Sequence, residues 1–192
     1  MPFAIIIFII LIVLISMIMF MLGRYRICPS DRMLVVFGNV GTNKKVKCIH
    51  GRGEFVLPII QDYAYLSLTP ITINVSLQNS LSKHNTFISI SSNFTVAIST
   101  DENISVNAAE RLLYLSIKDL EDLVKNIISG PLRLILSSLT IEEINKDGEK
   151  FLETIKTNVE PELNKIGLNI INIDITEIKS VKAINNDGNQ SH

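Results

Sequence analysis

The side chains in this sequence with chemistry to offer are three histidines, two cysteines, several adjacent carboxylates and many serines. His50, His84 and His192 have no Cys, His or acidic neighbours at metal-ligand spacing, so no metal centre is expected. The pairs Glu121/Asp122 and Glu142/Glu143 are next to each other in sequence, and neighbouring helical positions do not face one another across a site. Near helix N-termini they favour the macrodipole instead. No serine lies in a G-x-S-x-G elbow. Gly51-Arg52-Gly53 lacks the following helix that a phosphate-binding fingerprint requires. These residues predict a protein that is not an enzyme, with no catalytic set, no metal and no cofactor.

Two kinds of non-catalytic chemistry remain. Arg24, Arg26 and Arg32, followed by Lys44, Lys45 and Lys47, form a basic collar suited to anionic lipid headgroups, at about 1 kcal/mol for each residue held at the surface. For the three lysines, ordinary solvated loop charge is an equal reading. Cys28 lies just past an apolar run, where reversible palmitoylation is chemically sensible. Cys28 and Cys48 are otherwise expected as free thiols in a reducing compartment. The sequons at Asn74, Asn93 and Asn103 are assigned no function.

The element that positions the collar is the run 3–22, twenty residues without a charge, fifteen of them Ile, Leu, Val or Phe. As a helix it spans roughly 30 Å, the thickness of a bilayer's hydrocarbon core. Those fifteen side chains favour insertion by roughly 5 to 9 kcal/mol, an upper bound. No basic leader precedes the run and no A-x-A-like step follows it, so it reads as a retained transmembrane helix rather than a cleaved signal. Phe3, Ile10, Leu14, Phe20 and Leu22 are its anchoring residues; Arg24, Arg26 and Arg32 are the headgroup contacts. Cations on the C-terminal side alone predict a single pass with the N-terminus outside and the folded part cytoplasmic in a cell membrane. A shallow hairpin is the competing topology. With that placement, the sequons never meet a glycosylating enzyme.

Charge divides along the chain. Residues 1–53 carry seven basic groups against one acidic, +6, and residues 54–192 carry eleven against eighteen, −7. An acidic remainder without a basic, aromatic-studded stripe argues against nucleic acid.

Behind the basic juxtamembrane segment and first strands (23–53), periodicity predicts an α+β domain. Strands are expected at "MLVVFG", on both sides of Gly51-Arg52-Gly53, where both glycines permit positive φ, and at "IIQDYAYLSLT". In "TFISISSNFTVAIST", Ile88, Ile90, Phe94, Val96 and Ile98 share one parity with Ser92 the lapse, giving a long strand packed on one side. Helices follow: "NAAERLLYL"; then a run capped by Ser116 and Asp119, with a stripe through Leu120, Leu123, Val124, Ile127, Ile128, Leu132 and Ile135 and a kink at Pro131; then "TIEEI", capped by Thr140 and Glu143. A further helix through Phe151, Ile155, Val159, Leu163 and Ile166 is expected to kink or break at Pro161 and to end on Gly167. A last strand alternates Ile171, Ile173 and Ile175, and residues 179–192 read as a disordered polar tail. "FVLPII" (55–60) can dip into the interface through Phe55 and Leu57; the competing reading makes Phe55, Val56 and Leu57 core strand residues.

The order of "RYRICPSDRMLVVFGNVG", "GRGEFVLPIIQDYAYLSL", "PLRLILSSLTIEEINKDGEKF" and "LNKIGLNIINIDITEI" resembles the flotillins, of the bacterial flotillin-like type, in the SPFH (stomatin, prohibitin, flotillin, HflK/C) or band 7 superfamily. The resemblance implies a band 7 domain over 31–178 and a membrane-anchored scaffold that forms homo-oligomers in the lipid bilayer and organises raft-like microdomains. It also implies other membrane proteins as partners, among them a small NfeD-like protein. Flotillins continue into a long coiled coil, which this sequence, ending at His192, is read as lacking. A monomeric tethered adaptor of a membrane protease or transporter is therefore the alternative.

Overall fold

The structure is a computed structural model and describes residues 2–38, 46–57, 60–81 and 86–182. Lys44, Lys45, Pro58, His84, His192 and most of the expected polar tail (183–192) lie outside the described residues. The chain divides into two compact units, one up to Leu68 and one from Thr69. The stretch 31–178, expected as one domain, is shared between them.

The first unit begins with helix α1 (Pro2–Leu22). A short extended ribbon follows, β1 (Tyr25–Ile27) paired antiparallel with β4 (Gly53–Phe55), Tyr25 opposite Phe55. Beside it β2 (Arg32–Gly38) runs between β3 (Val46–Ile49) and β5 (Gln61–Ser67), both antiparallel to it. Leu34 and Val36, on one parity of β2, pack with Cys28, Ile49, Val56 and Tyr63 into a small core. The strand "MLVVFG" was read as such; β1, three residues long, carries no periodic signal and was not.

The second unit is a three-stranded antiparallel sheet, β6 (Ile71–Leu81), β7 (Thr86–Ile98) and β8 (Leu168–Lys182), with β7 in the centre. Between β7 and β8 the chain forms α2 (Glu102–Leu112), α3 (Ile117–Ser138), α4 (Ile141–Lys146) and α5 (Gly148–Asn164). α3 packs on β6, α5 on β8, and the two helices on each other. This covers the face of β7 bearing Ile88, Ile90, Phe94 and Val96, all buried. Ser92, the lapse in that pattern, is also fully buried, and its Oγ donates to the Val75 carbonyl at 3.2 Å. A buried hydroxyl with a partner costs little, whereas an orphaned one is expensive. The opposite face is polar: Thr72 meets Thr95 at 3.1 Å, Asn74 donates to Asn93 at 2.9 Å, and Asn93 donates to Thr176 at 3.3 Å.

Several expectations are corrected. The helix read at "NAAERLLYL" starts earlier, because Asp101 caps it by accepting the Asn103 and Ile104 N–H groups, and it ends at Leu112, leaving Tyr114 89% exposed. α3 and α5 run as single helices through Pro131 and Pro161, so Pro161 does not break α5. The packing of Ile128, Leu132, Ile155 and Val159, all fully buried, outweighs one lost backbone hydrogen bond at each proline. α5 ends at Asn164 with Lys165 as its C-cap, and Gly167 lies beyond it with φ of 87°. There a Cβ would run into Ala108, so the residue's size matters as much as its φ. β8 continues through Lys182, so the first four residues of the expected tail are strand, paired with β7. Ile171 is not on the inward face: Thr95 pairs with Asn172 and Val96 with Ile170, which makes Ile171 the extra residue of a β-bulge, 57% exposed.

Candidate membrane-contact site

The site is built where α1 runs into the first strands. Residues 3–22 of α1 carry no charge, and all are exposed rather than buried within the chain. Phe3, Ile10, Leu14, Phe20 and Leu22, the expected anchoring residues, are all between half and four-fifths exposed. The absence of an amphipathic stripe is itself informative, since a surface-lying helix needs a polar face and this one has none. The helix closes through Gly23 N–H to the Met19 carbonyl at 3.2 Å and Arg24 N–H to that of Met21 at 3.1 Å.

The expected headgroup residues separate into two groups. Arg24, half-buried, stacks its guanidinium 4.8 Å from the Phe20 ring centre, and Arg26 stacks 4.8 Å from the ring of Tyr63. Alternation along β1 puts Arg26 on one side and Tyr25 and Ile27 on the other, while Arg24 lies in the turn that precedes the strand. Arg32 does not join them; it pairs with its own neighbour Asp31 at 3.5 Å, both well exposed. Lys47 is likewise engaged, with Glu54 at 3.0 Å.

Phe55 and Leu57 are exposed, at 55% and 53%, while Val56 between them is buried at 4%. The competing reading of all three as core therefore holds for Val56 alone. The ribbon adds residues that sequence reasoning missed: Tyr25 packs against Phe55 with ring centres 5.0 Å apart and planes tilted by 58°, and Ile27 and Ile60 are 69% and 51% exposed. The β1–β4 pairing joins positions some thirty residues apart, which no local pattern reveals. Gly51 has the expected positive φ, 70°, but Gly53 does not; it is small because the Tyr25 ring lies against it.

Cys28 is only 6% exposed, and its thiol lies 3.1 Å from the Arg32 carbonyl and 3.3 Å from that of Ile49. This is a thiol packed in the core of the first unit, so acylation there requires the core to open. Among the described residues no group of three or more His, Cys, Asp or Glu side chains is placed to hold a metal ion.

A strand-rich unit directly behind an apolar helix, then a three-stranded sheet under two long helices, is the architecture in which these contacts sit. The SPFH domain / Band 7 family model matches residues 26–191, and the chain belongs to that family, as a protein of the flotillin type. It is 30% identical over 188 residues to the flotillin-like protein FloT of Bacillus subtilis, covering 93% of this chain and 37% of that protein. It is 23% identical to bovine flotillin-2 and 22% identical to human flotillin-2, each over 154 residues, 80% of this chain and 36% of theirs. The chain thus spans little more than a third of the length of these relatives.

Proposed function

We propose that this protein is a non-enzymatic scaffold anchored in a cell membrane by one pass of α1, its folded units cytoplasmic. Its subunits associate laterally into homo-oligomers that organise raft-like microdomains and gather other membrane proteins, an NfeD-like protein among them. The observation that carries the reading is α1: twenty uncharged residues, all but Ser16 apolar, unburied by the chain itself and followed closely by Arg24 and Arg26. An apolar surface of that extent does not persist in water. The exposed Tyr25, Ile27, Phe55, Leu57 and Ile60 extend it, as an apolar ledge entering the interface.

The mass of the particle that a mild detergent releases from membranes tests the scaffold. A particle of many subunits is expected. A monomer would refute lateral assembly by this chain and favour the tethered adaptor of a membrane protease or transporter.

A further inference from the structure

The junction between α1 and the strands contains a pocket of about 480 Å³, of a size that suits a small ligand group. Its polar lining is Arg24, Arg26, Gln61 and Asp62; Phe37, Val56, Ile60 and Tyr63 form its apolar walls. We propose that this pocket holds the phosphodiester of one membrane phospholipid, gripped by Arg24 and Arg26, with the first apolar atoms of the lipid against the walls. The proposal rests on the membrane reading above and names the ligand at its junction.

Three features of the pocket support this assignment. First, neither arginine pairs with a carboxylate among the described residues. Arg24 is nevertheless half-buried, and withdrawing a cation from water without a counter-charge is unfavourable. Second, each guanidinium lies over an aromatic ring, Phe20 or Tyr63, with its carbon 4.8 Å from the ring centre, a contact that holds the cation in place without using its N–H donors. Planar forks held this way suit phosphate oxygens better than a chloride or a neutral group. Third, the ring under Arg24 belongs to the last turns of α1, so one arginine is tied to the span itself. A ligand anchored in the bilayer with its phosphate at the headgroup level meets that position without leaving the membrane.

Asp62 selects within this chemistry. Its carboxylate lines the same pocket, with Oδ1 accepting the Tyr63 N–H at 2.8 Å. Two cations against one anion leave room for a single negative charge. A phosphodiester carries one; a phosphomonoester such as phosphatidic acid carries up to two and is disfavoured.

Native mass spectrometry of the full chain, released into mild detergent from vesicles of phosphatidylglycerol and phosphatidylethanolamine, reads the retained lipid directly. One phospholipid per subunit is expected to survive partial delipidation. The pair Arg24→Gln with Arg26→Gln should reduce retention at least about tenfold, the equivalent of roughly one charge-assisted contact. Arg32→Gln, outside the pocket, should not. In vesicles that also contain phosphatidic acid, Asp62→Asn should retain that lipid and the unaltered chain should not; an unchanged lipid profile would overturn the role of Asp62. Equal retention in the double variant, or displacement of the lipid by millimolar inorganic phosphate, would overturn the lipid assignment. The two readings fail differently. A chain that does not partition into vesicles defeats the membrane reading, whereas one that partitions but retains no lipid defeats only the pocket.

Discussion

At the scale of single residues, the functional contrast lies within three consecutive positions. Phe55 and Leu57 point outward while Val56 packs with Cys28, Leu34, Val36 and Ile49. Substitutions at the outer two should therefore leave stability within about 0.5 kcal/mol, whereas Val56→Asp places a charge in the core and unfolds the first unit. The protein contains no tryptophan, which makes a direct test of membrane depth simple. Phe55→Trp and Leu57→Trp, each introduced alone into the full chain in vesicles, should emit to the blue and be quenched by brominated acyl chains. Ile171→Trp, at a position 57% exposed on the sheet of the second unit, should not be quenched. Equal quenching at all three positions, or none at 55 and 57, would remove the interfacial ledge. The two arginines that stack on Phe20 and Tyr63 were legible as a collar because they follow an uncharged run. That Arg32 is not one of the pair was not legible, since its pairing with Asp31 is a matter of rotamers.

At the scale of elements, what was legible followed periodicity, and what was missed lacked it or broke it. β7 and the stripes of α3 and α5 were read correctly because their inward side chains recur at periods of 2 and 3.6. β6 has the same alternation, Ile71, Ile73, Val75 and Leu77 inward, and went unread beside its more regular neighbour. β8 misled because two bulges against β7 shift its parity, leaving Thr176 and Ile171 with no residue opposite them in the register. A bulge is a property of the paired strands and has no signature in one of them. The same distinction sets stability. Phe94, fully buried on the central strand, should cost about 3–5 kcal/mol on replacement by alanine. Thr140→Ala removes only the α4 capping box, in which Thr140 Oγ1 accepts the Glu143 N–H at 3.2 Å and a Glu143 oxygen accepts the Thr140 N–H at 2.9 Å. That loss should cost about 1 kcal/mol. Urea denaturation followed by circular dichroism measures both. A Thr140 effect as large as that of Phe94 would mean that α4 nucleates the helical layer rather than decorating it.

At the scale of the whole molecule, charge and hydropathy point the same way. Up to Leu68 there are seven basic groups and three acidic, +4, and from Thr69 onward eleven and sixteen, −5. The cationic unit is the one that carries α1, so apolar surface and positive charge coincide in one unit, the one that anionic headgroups would attract. The net-acidic second unit gains nothing from such a surface. The same asymmetry bears on topology, because Arg24, Arg26 and Arg32 follow the span, which favours that side in the cytoplasm. Two engineered thiols distinguish the possible arrangements. Tyr114→Cys, at a site 89% exposed in the second unit, should react with a membrane-impermeant maleimide only after cells are permeabilised. Pro2→Cys should react in intact cells if α1 crosses once, and only after permeabilisation if α1 enters and leaves on the cytoplasmic face. A single crossing is expected, because residues 3–22 contain neither proline nor glycine on which a hairpin could turn. Twenty residues of unbroken helix match the full hydrocarbon thickness, whereas a hairpin would leave the backbone at its bend without hydrogen-bond partners in lipid. Protection of Pro2→Cys in intact cells would overturn the single pass while leaving the anchor, the collar and the cytoplasmic domain in place.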